Sequence, residues 1–493
     1  YFSRAIDFGY SKTAKETMLN WNREKVLYDI VKVIREFRPD IIITRFSSTQ
    51  GGHGHHLASA ILAEEAFHAA ADPDRFPDQL KTLKTWQAKR LMWNSWRPSA
   101  DAVRIDVGRY NPFLGQSYTE IAAAGRSMHK TQGFGAAAGR GSRVEAFDLI
   151  AGDTMSTDIF DGVDMSWKRI AGSRKVQKHI AKIIEKYRPD DPATSVPALV
   201  ALYQEMRKLR SDGWIDHKMQ EVKEIIRMCS GLWMDSIVWE PNMCPGMHID
   251  VRSSIVNRSI VPIQMKKLAV TYASRDTLLN YSLGNCTPVN FKHSVYIPTD
   301  APYSQPYWLK EPPNKGMFIV KDLSKIGQAE NGPALTAQFH LMIGGHDFVY
   351  DVPVLHRWTD PVKGEQYQPF YIQPKLSLSV EHPTYIFTNG TTHSVNVHVQ
   401  ANTDSLSGEI VAVLPKGWHA NPDKLPVNLK NKGDQATYSF EVTSNEAAVV
   451  GDLKFIVHSN GKQYTQQIIE MEYSHIKRQT VLQLTKTRLV KLN

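Results

Sequence analysis

The spacing of apolar residues changes character twice along this 493-residue chain, and no other feature constrains the fold as much. Up to about residue 165, helix-like and strand-like patterns alternate. From 166 to about 234 the pattern is helical only, and beyond 240 it has a period of two with turn-rich connections. The chain is long enough for about three domains at ~100–200 residues each. The three regimes therefore predict a multidomain protein: an α/β unit over 1–165, a helical appendage over 166–239, and two β-sandwiches over 240–373 and 374–475.

Within the first regime, Val26, Leu27, Ile30, Val31, Ile34 and Phe37 recur at helical spacing, and Pro39 stops the run. The β-branched stretch 40–46 that follows has the composition of a strand buried on both faces of a parallel sheet. A Gly/Ser loop leads into a second helix over 56–70, then strands over 90–94 and 102–107. Ser117 and Glu120 have capping-box spacing and open a helix ending near His129. The appendage shows helical patterns over 176–187, 196–210 and 215–233. The alternating tail, 476–493, reads as the start of a further domain, and with no initiator Met at Tyr1 the chain reads as a segment of a longer polypeptide.

Composition excludes several classes. Hydrophobic residues at 42% and charged residues at 22% are a globular mix, which removes disordered, collagenous and mucin-like readings. No window approaches the ~18 unbroken apolar residues of a membrane span. Of the net charge of +9, five charges (Lys477, Arg478, Lys486, Arg488 and Lys491) sit in the tail, so no nucleic-acid partner is expected. Cys229, Cys244 and Cys286 lack CxxC spacing and an even count, and are expected to be buried thiols rather than disulfides or a zinc ribbon.

The most chemically informative stretch is Gly51-Gly52-His53-Gly54-His55-His56, just past the carboxyl end of the 40–45 strand, where ligand sites of open α/β sheets form. His53 and His56 at i and i+3 turn two imidazoles toward one point; if His56 begins the helix, the positive dipole end keeps a lone pair free for a metal. Against this stands a solvated Gly/His loop, since three histidines without acidic or thiol partners do not complete a zinc site. Arg45, at the strand end, is a candidate substrate-binding cation or one half of a salt bridge. His129, beside the Gly- and Ala-rich loop 132–141, is a candidate substrate contact or a cap on helix carbonyls, and the loop reads as a mobile cover.

The run from Phe37-Arg38-Pro39-Asp40 through Phe46, followed by Gly52-His53-Gly54-His55-His56-Leu57, resembles the second motif block of the PIG-L / LmbE-like N-deacetylases. Ser127-Met128-His129-Lys130-Thr131-Gln132 is similar to that family's later HxSQ-like element, with Thr131 in place of Ser. The resemblance implies a Rossmann-like fold, one Zn²⁺ held by two His and one Asp, and hydrolysis of an N-acetyl group from an N-acetylglucosamine-type amino sugar or conjugate. It makes His56 the metal ligand and His53 the catalytic residue that assists the tetrahedral intermediate. Position 55 is usually Asp in shorter relatives and is His55 here.

The family's AHPDDE block has no counterpart. His382-Pro383 lies in the last sandwich, and Arg188-Pro189-Asp190-Asp191 has no His. The expectation is therefore a block upstream of Tyr1 and a segment inactive or nearly so by itself. Leu414-Pro415-Lys416-Gly417-Trp418 resembles the LPxGW turn of NEW3-type β-sandwich domains, with Trp418 a core residue more often than a sugar platform. A pair of sandwiches suggests a secreted or periplasmic setting. The alternative is a non-catalytic carbohydrate-binding or scaffolding protein with a degenerate α/β domain.

Overall fold

The computed structural model describes residues 1–50, 52–210, 213–388, 391–446 and 449–492. Two compact units emerge. One comprises Tyr1–Ala181, Glu205–Gln220 and Tyr307–Glu330, and the other Lys182–Gln204, Glu221–Pro306 and Asn331–Asn493.

The first unit is mixed α/β, as its alternating patterns predict. Its strands are β1 (Ile41–Thr44), β2 (Arg90–Ser95), β3 (Val103–Asp106), β4 (Tyr110–Asn111), β5 (Gln116–Ser117) and β6 (Val144–Gly152). Its main sheet has the order β1-β2-β6-β3. β1 and β2 are parallel, with Ile41 opposite Arg90, whereas β6 runs antiparallel to both β2 and β3. One parallel pair in four strands is less than the Rossmann-like expectation. The expectation that β1 is buried on both faces is also corrected. Among the described residues β1 pairs on one side only, which leaves Ile41 and Ile42 half-buried and Ile43 46% exposed.

Helices α1 (Ala14–Asn20), α2 (Arg23–Phe37), α3 (Gly54–Ala69) and α4 (Tyr118–Arg126) accompany this sheet. α2 starts where Asn22 accepts the Lys25 amide and stops at Arg38, which turns left-handed before Pro39. Its apolar stripe of Val26, Leu27, Val31 and Ile34 packs on Leu62, Ala66 and Ala69 of α3, and Met317 joins the same core. Phe318 donates its amide to the Arg4 carbonyl, and Ala5 bridges Met317. The segment Tyr307–Glu330 thus belongs to this unit, a correction to the contiguous 240–373 domain: its apolar side chains find their core here.

Arg35 is fully buried and ends α3 from outside it. Its guanidinium donates to the carbonyls of Ala69, Ala70, Asp72, Arg75 and Phe76 and to Gln79 Oε1, at 2.8–3.2 Å. A helix leaves its last carbonyls without intrahelical donors, and a fixed cation at that negative dipole end satisfies them.

In the second unit, one sheet has the order Thr277–Ser282, Ile263–Val270, Thr336–Ile343, His346–Pro353; another has Val289–Tyr296, His248–Asn257, Leu232–Val238, Leu355–Asp360, Gly364–Pro369. The appendage helices α5 (Arg174–Lys186), α6 (Val196–Met206) and α7 (Gly213–Cys229) are present. α7 ends before the predicted Trp233, because Gly231 adopts a left-handed conformation and the chain continues as the central strand Leu232–Val238. The span 166–239 is therefore not purely helical.

Beyond residue 375 two further sheets share one core containing Phe387, Val397, Phe440 and Phe455. Trp418 lies in it, 4% exposed and edge-on to Phe387 at 4.7 Å, as the sequence suggests. The tail takes part in these sheets. Lys486–Lys491 pairs parallel with Thr384–Phe387 and antiparallel with Val449–Ser459, because its alternation turns Thr487 and Leu489 into that core. Cys229 and Cys244 are buried, whereas Cys286 is exposed, contrary to expectation, because it occupies a left-handed turn position outside the strands.

Two expected outcomes follow. Arg35→Met, which removes six hydrogen bonds at the end of α3, lowers unfolding free energy by about 3 kcal/mol or more in denaturant titration. A thiol reagent labels Cys286 in the native protein and all three cysteines after denaturation, since burial pushes the Cys244 thiol up to about 11 and raises that of Cys229.

Candidate active site

The histidine loop is shaped by a close contact. Gly52 has φ +64° and turns the chain, while Gly54 packs against the 11–17 segment so tightly that a Cβ would fall 2.4 Å from both Ser11 Oγ and the Thr13 carbonyl. The Gly54 amide donates to the Ser11 carbonyl at 2.7 Å. Position 54 therefore tolerates no side chain. Gly51 lies outside the described residues. His53, not His56, begins α3: it is the N-cap, and its Nδ1 accepts the His55 amide at 3.1 Å.

A chain of hydrogen bonds then sets the ring tautomers. Thr17 gives its hydroxyl hydrogen to the Thr13 carbonyl (3.3 Å), which leaves Thr17 Oγ1 to accept from Ser11 (2.8 Å) and Ser11 Oγ to accept from His55 Nδ1–H (3.2 Å). His53 Nδ1, already an acceptor, lies 3.0 Å from His55 Nδ1, so neutral His53 carries its proton on Nε2. The buried Nε2 of His55 has no hydrogen-bond partner among the described residues, and Asp7 Oδ1 stands 3.6 Å from it. The His55 ring is also walled by Phe8 at 4.1 Å and Trp21 at 4.9 Å.

The structure brings the two predicted imidazoles together. The rings of His53 and His56 lie 5.1 Å apart, and half-buried His56 stacks on Phe46 at 3.6 Å with an interplanar angle of 3°. Arg45 is tied to the same corner through Trp96, whose ring contacts Phe46 (5.8 Å) and the Arg45 guanidinium (6.0 Å). Exposed Arg45 also binds Asn94 and approaches Glu145 at 3.8 Å, which is its salt-bridge role.

His129 stands apart from this corner in its contacts. It follows the end of α4, with Nδ1 3.1 Å from the Arg126 carbonyl and its ring 6.4 Å from Phe134, which is the carbonyl-capping arrangement. The loop after it is pinned by the Thr119 hydroxyl on the Gly139 carbonyl and by the Ala136 amide on Ser127 Oγ. Asp40, in the strand-opening block, forms a two-pronged ion pair with Arg169 at 2.8–2.9 Å and is structural.

Sequence reasoning missed Asp7, Ser11, Thr17 and Phe46. The spacing of Thr13 and Glu16, a helix-start signal, could have placed the 11–17 segment, but nothing in the sequence points it at His55. Among the described residues, no three His, Cys, Asp or Glu side chains converge as a metal site. Zinc in a catalytic site needs three protein ligands, so these residues do not hold one unaided. An apolar cavity of about 380 Å³ lies against β1 and α2, lined by residues including Tyr1, Val33, Phe37 and Ile41 and by none of the histidines.

No family model matches the chain. Over 77 residues it is 34% identical to 1D-myo-inositol 2-acetamido-2-deoxy-alpha-D-glucopyranoside deacetylase 1 of Frankia casuarinae, a match covering 16% of this chain. The chain spans 24% of that relative's length. Among solved structures, red sea bream transglutaminase is similar with TM-score 0.24 and 9% identity, over 56% of this chain and 34% of that one. A Porphyromonas gingivalis protein of unknown function gives 0.15 and 10%, over 53% and 99%, and Escherichia coli alpha-2-macroglobulin gives 0.17 and 7%, over 53% and 22%. Likenesses this weak carry no argument. The chain thus contains a segment similar to a deacetylase, and no helix among the described residues is long and apolar enough to cross a membrane.

Burial, and then the charge of His53, lower the proton affinity of His55 against the pull of Asp7. An imidazole kept neutral by the fold contributes stability above its unfolded pKa of about 6.5, and the contribution is lost as pH falls and the unfolded chain takes up the proton. The expected outcome is a denaturation midpoint that drops from about pH 7.5 to about pH 5.5, with His55→Gln reducing the drop.

Proposed function

We propose that this chain is part of a metal-dependent N-deacetylase acting on an N-acetylated amino sugar or its conjugate. The observation that carries the reading is the His53–His56 pair just past the carboxyl end of β1. The 77-residue similarity to a deacetylase whose name specifies an acetamido sugar supports it.

In this reading His53 presents Nε2–H to the acetamide oxygen as it gains charge, a preorganised donor that costs no rearrangement during the reaction. Ser11 and His55 keep that ring turned. Phe46 holds His56 in place for donation to a cation. Zinc would need, besides His56, donors that the described residues do not supply. The last pair of sheets, with its LPxGW turn, serves as a spacer or docking module of the NEW3 type.

The incomplete donor set favours one rival, a carbohydrate-binding or scaffolding protein with a degenerate first unit. The natural polypeptide that carries this chain separates the two. Acetate release from N-acetylglucosaminyl conjugates is expected, abolished by a chelator. His53→Ala lowers kcat by about 100- to 1,000-fold, and His56→Ala removes bound metal. Acetate release unchanged by His56→Ala defeats the proposal, and sugar binding without any acetate release supports the rival.

A further inference from the structure

In the second unit the strand His248–Asn257 presents His248, Asp250 and Arg252 on one exposed face, because alternate residues of a strand share a side. The neighbouring strand Val289–Tyr296 sets Tyr296 opposite His248, and the two rings lie 5.0 Å apart. Trp239 follows directly on the strand Leu232–Val238 and is 56% exposed, with the Arg252 guanidinium 5.3 Å from its ring. Trp239, Glu240, His248 and Asp250, together with buried Met243 and Ile249, line one cavity of about 340 Å³. That is within the size range of small-ligand sites, which begins at about 300 Å³.

The charged groups that line this cavity are both acceptors, and both are held in place. Lys432 pairs with Glu240 at 2.7 Å, and Lys292 pairs with Asp250 at 2.8 Å. A carboxylate has about four lone-pair sites, so each acid keeps room for further donors after its lysine is satisfied. Because both acids are already ion-paired and Arg252 stands over the indole, a cationic ligand finds no unbalanced negative charge here. The ligand that fits is uncharged, offers hydroxyl donors to the carboxylates, and has an apolar face for the tryptophan. A pyranose in the gluco configuration meets all three conditions: its ring hydroxyls are equatorial, and its axial C–H groups form a flat apolar face.

We propose that this cavity binds a neutral, gluco-configured oligosaccharide. One pyranose ring stacks on Trp239, and its hydroxyls donate to Asp250 and Glu240. The site binds without reacting, and none of its residues takes part in the proposed hydrolysis, so either reading can fail without the other.

Isothermal titration calorimetry of the full chain with cellotriose and with N,N′,N″-triacetylchitotriose tests this. Cellotriose has no acetamido group, so its binding does not depend on a deacetylase site. Saturable binding of one or both trisaccharides is expected, retained in His53→Ala and weakened about tenfold or more in Trp239→Ala. Asp250→Asn, which keeps the shape of the side chain and removes its charge, also weakens binding severalfold. Both side chains are exposed, so both variants should keep the wild-type circular dichroism spectrum. Choline chloride, the cationic probe for an aromatic site, should give no binding heat. Absence of binding to both sugars, Trp239→Ala binding them like the wild type, binding lost in His53→Ala, or binding of choline instead of sugar overturns the proposal.

Discussion

The first turn of α3 lies against the 11–17 segment at a separation that only a glycine allows, and the candidate site depends on that contact. Gly54 brings the Ser11 carbonyl onto its own amide and Ser11 Oγ within reach of the next residue's ring. Ser11 and Thr17 then relay a fixed hydrogen-bond direction into His55 and, through the N-cap, into His53. The geometry of two imidazoles is thereby set by hydroxyl groups about forty residues upstream. His55, a buried ring whose proton affinity is lowered by burial, orients its neighbour without placing a negative charge beside it.

The same economy appears at the other end of α3. Arg35, from α2, closes the helix's last carbonyls and the turn that follows them, so α2 and α3 are joined by an apolar stripe and by a cation with five peptide acceptors. β1 emerges directly from α2 through Pro39 and Asp40, and the Asp40–Arg169 pair anchors that entry. Strand, loop and helix are each fixed by a polar contact formed far along the sequence, which gives a loop of small residues a definite shape.

Much of the first unit was legible because its helices carry their own start and stop signals. Asn22 and Pro39 bracket α2, and the Ser117–Glu120 capping box opens α4 as spacing alone foretold. β1 was misjudged because an apolar β-branched run looks the same whether the strand gains one neighbour or two. α7 was extended into Leu232–Val238 because Trp233 and Met234 suit either period, and the break lies in the backbone conformation of Gly231. Where the tail pairs was not legible, because alternation declares a strand without naming its partner; Thr384–Phe387 and Val449–Ser459 are that partner.

The amino-acid sequence by itself determined the order of helical and strand-forming regions, the loop that presents His53 and His56, and the burial of Trp418, because periodicity, caps and apolar content act over a few residues at a time. Only the tertiary structure decided that Tyr307–Glu330 completes the core beneath α2, that Ser11 orients His55, and that Arg45 and His129 meet local partners instead of joining the histidines. Those outcomes depend on which distant groups satisfy a buried donor or fill an apolar gap, and that matching is settled by packing in three dimensions.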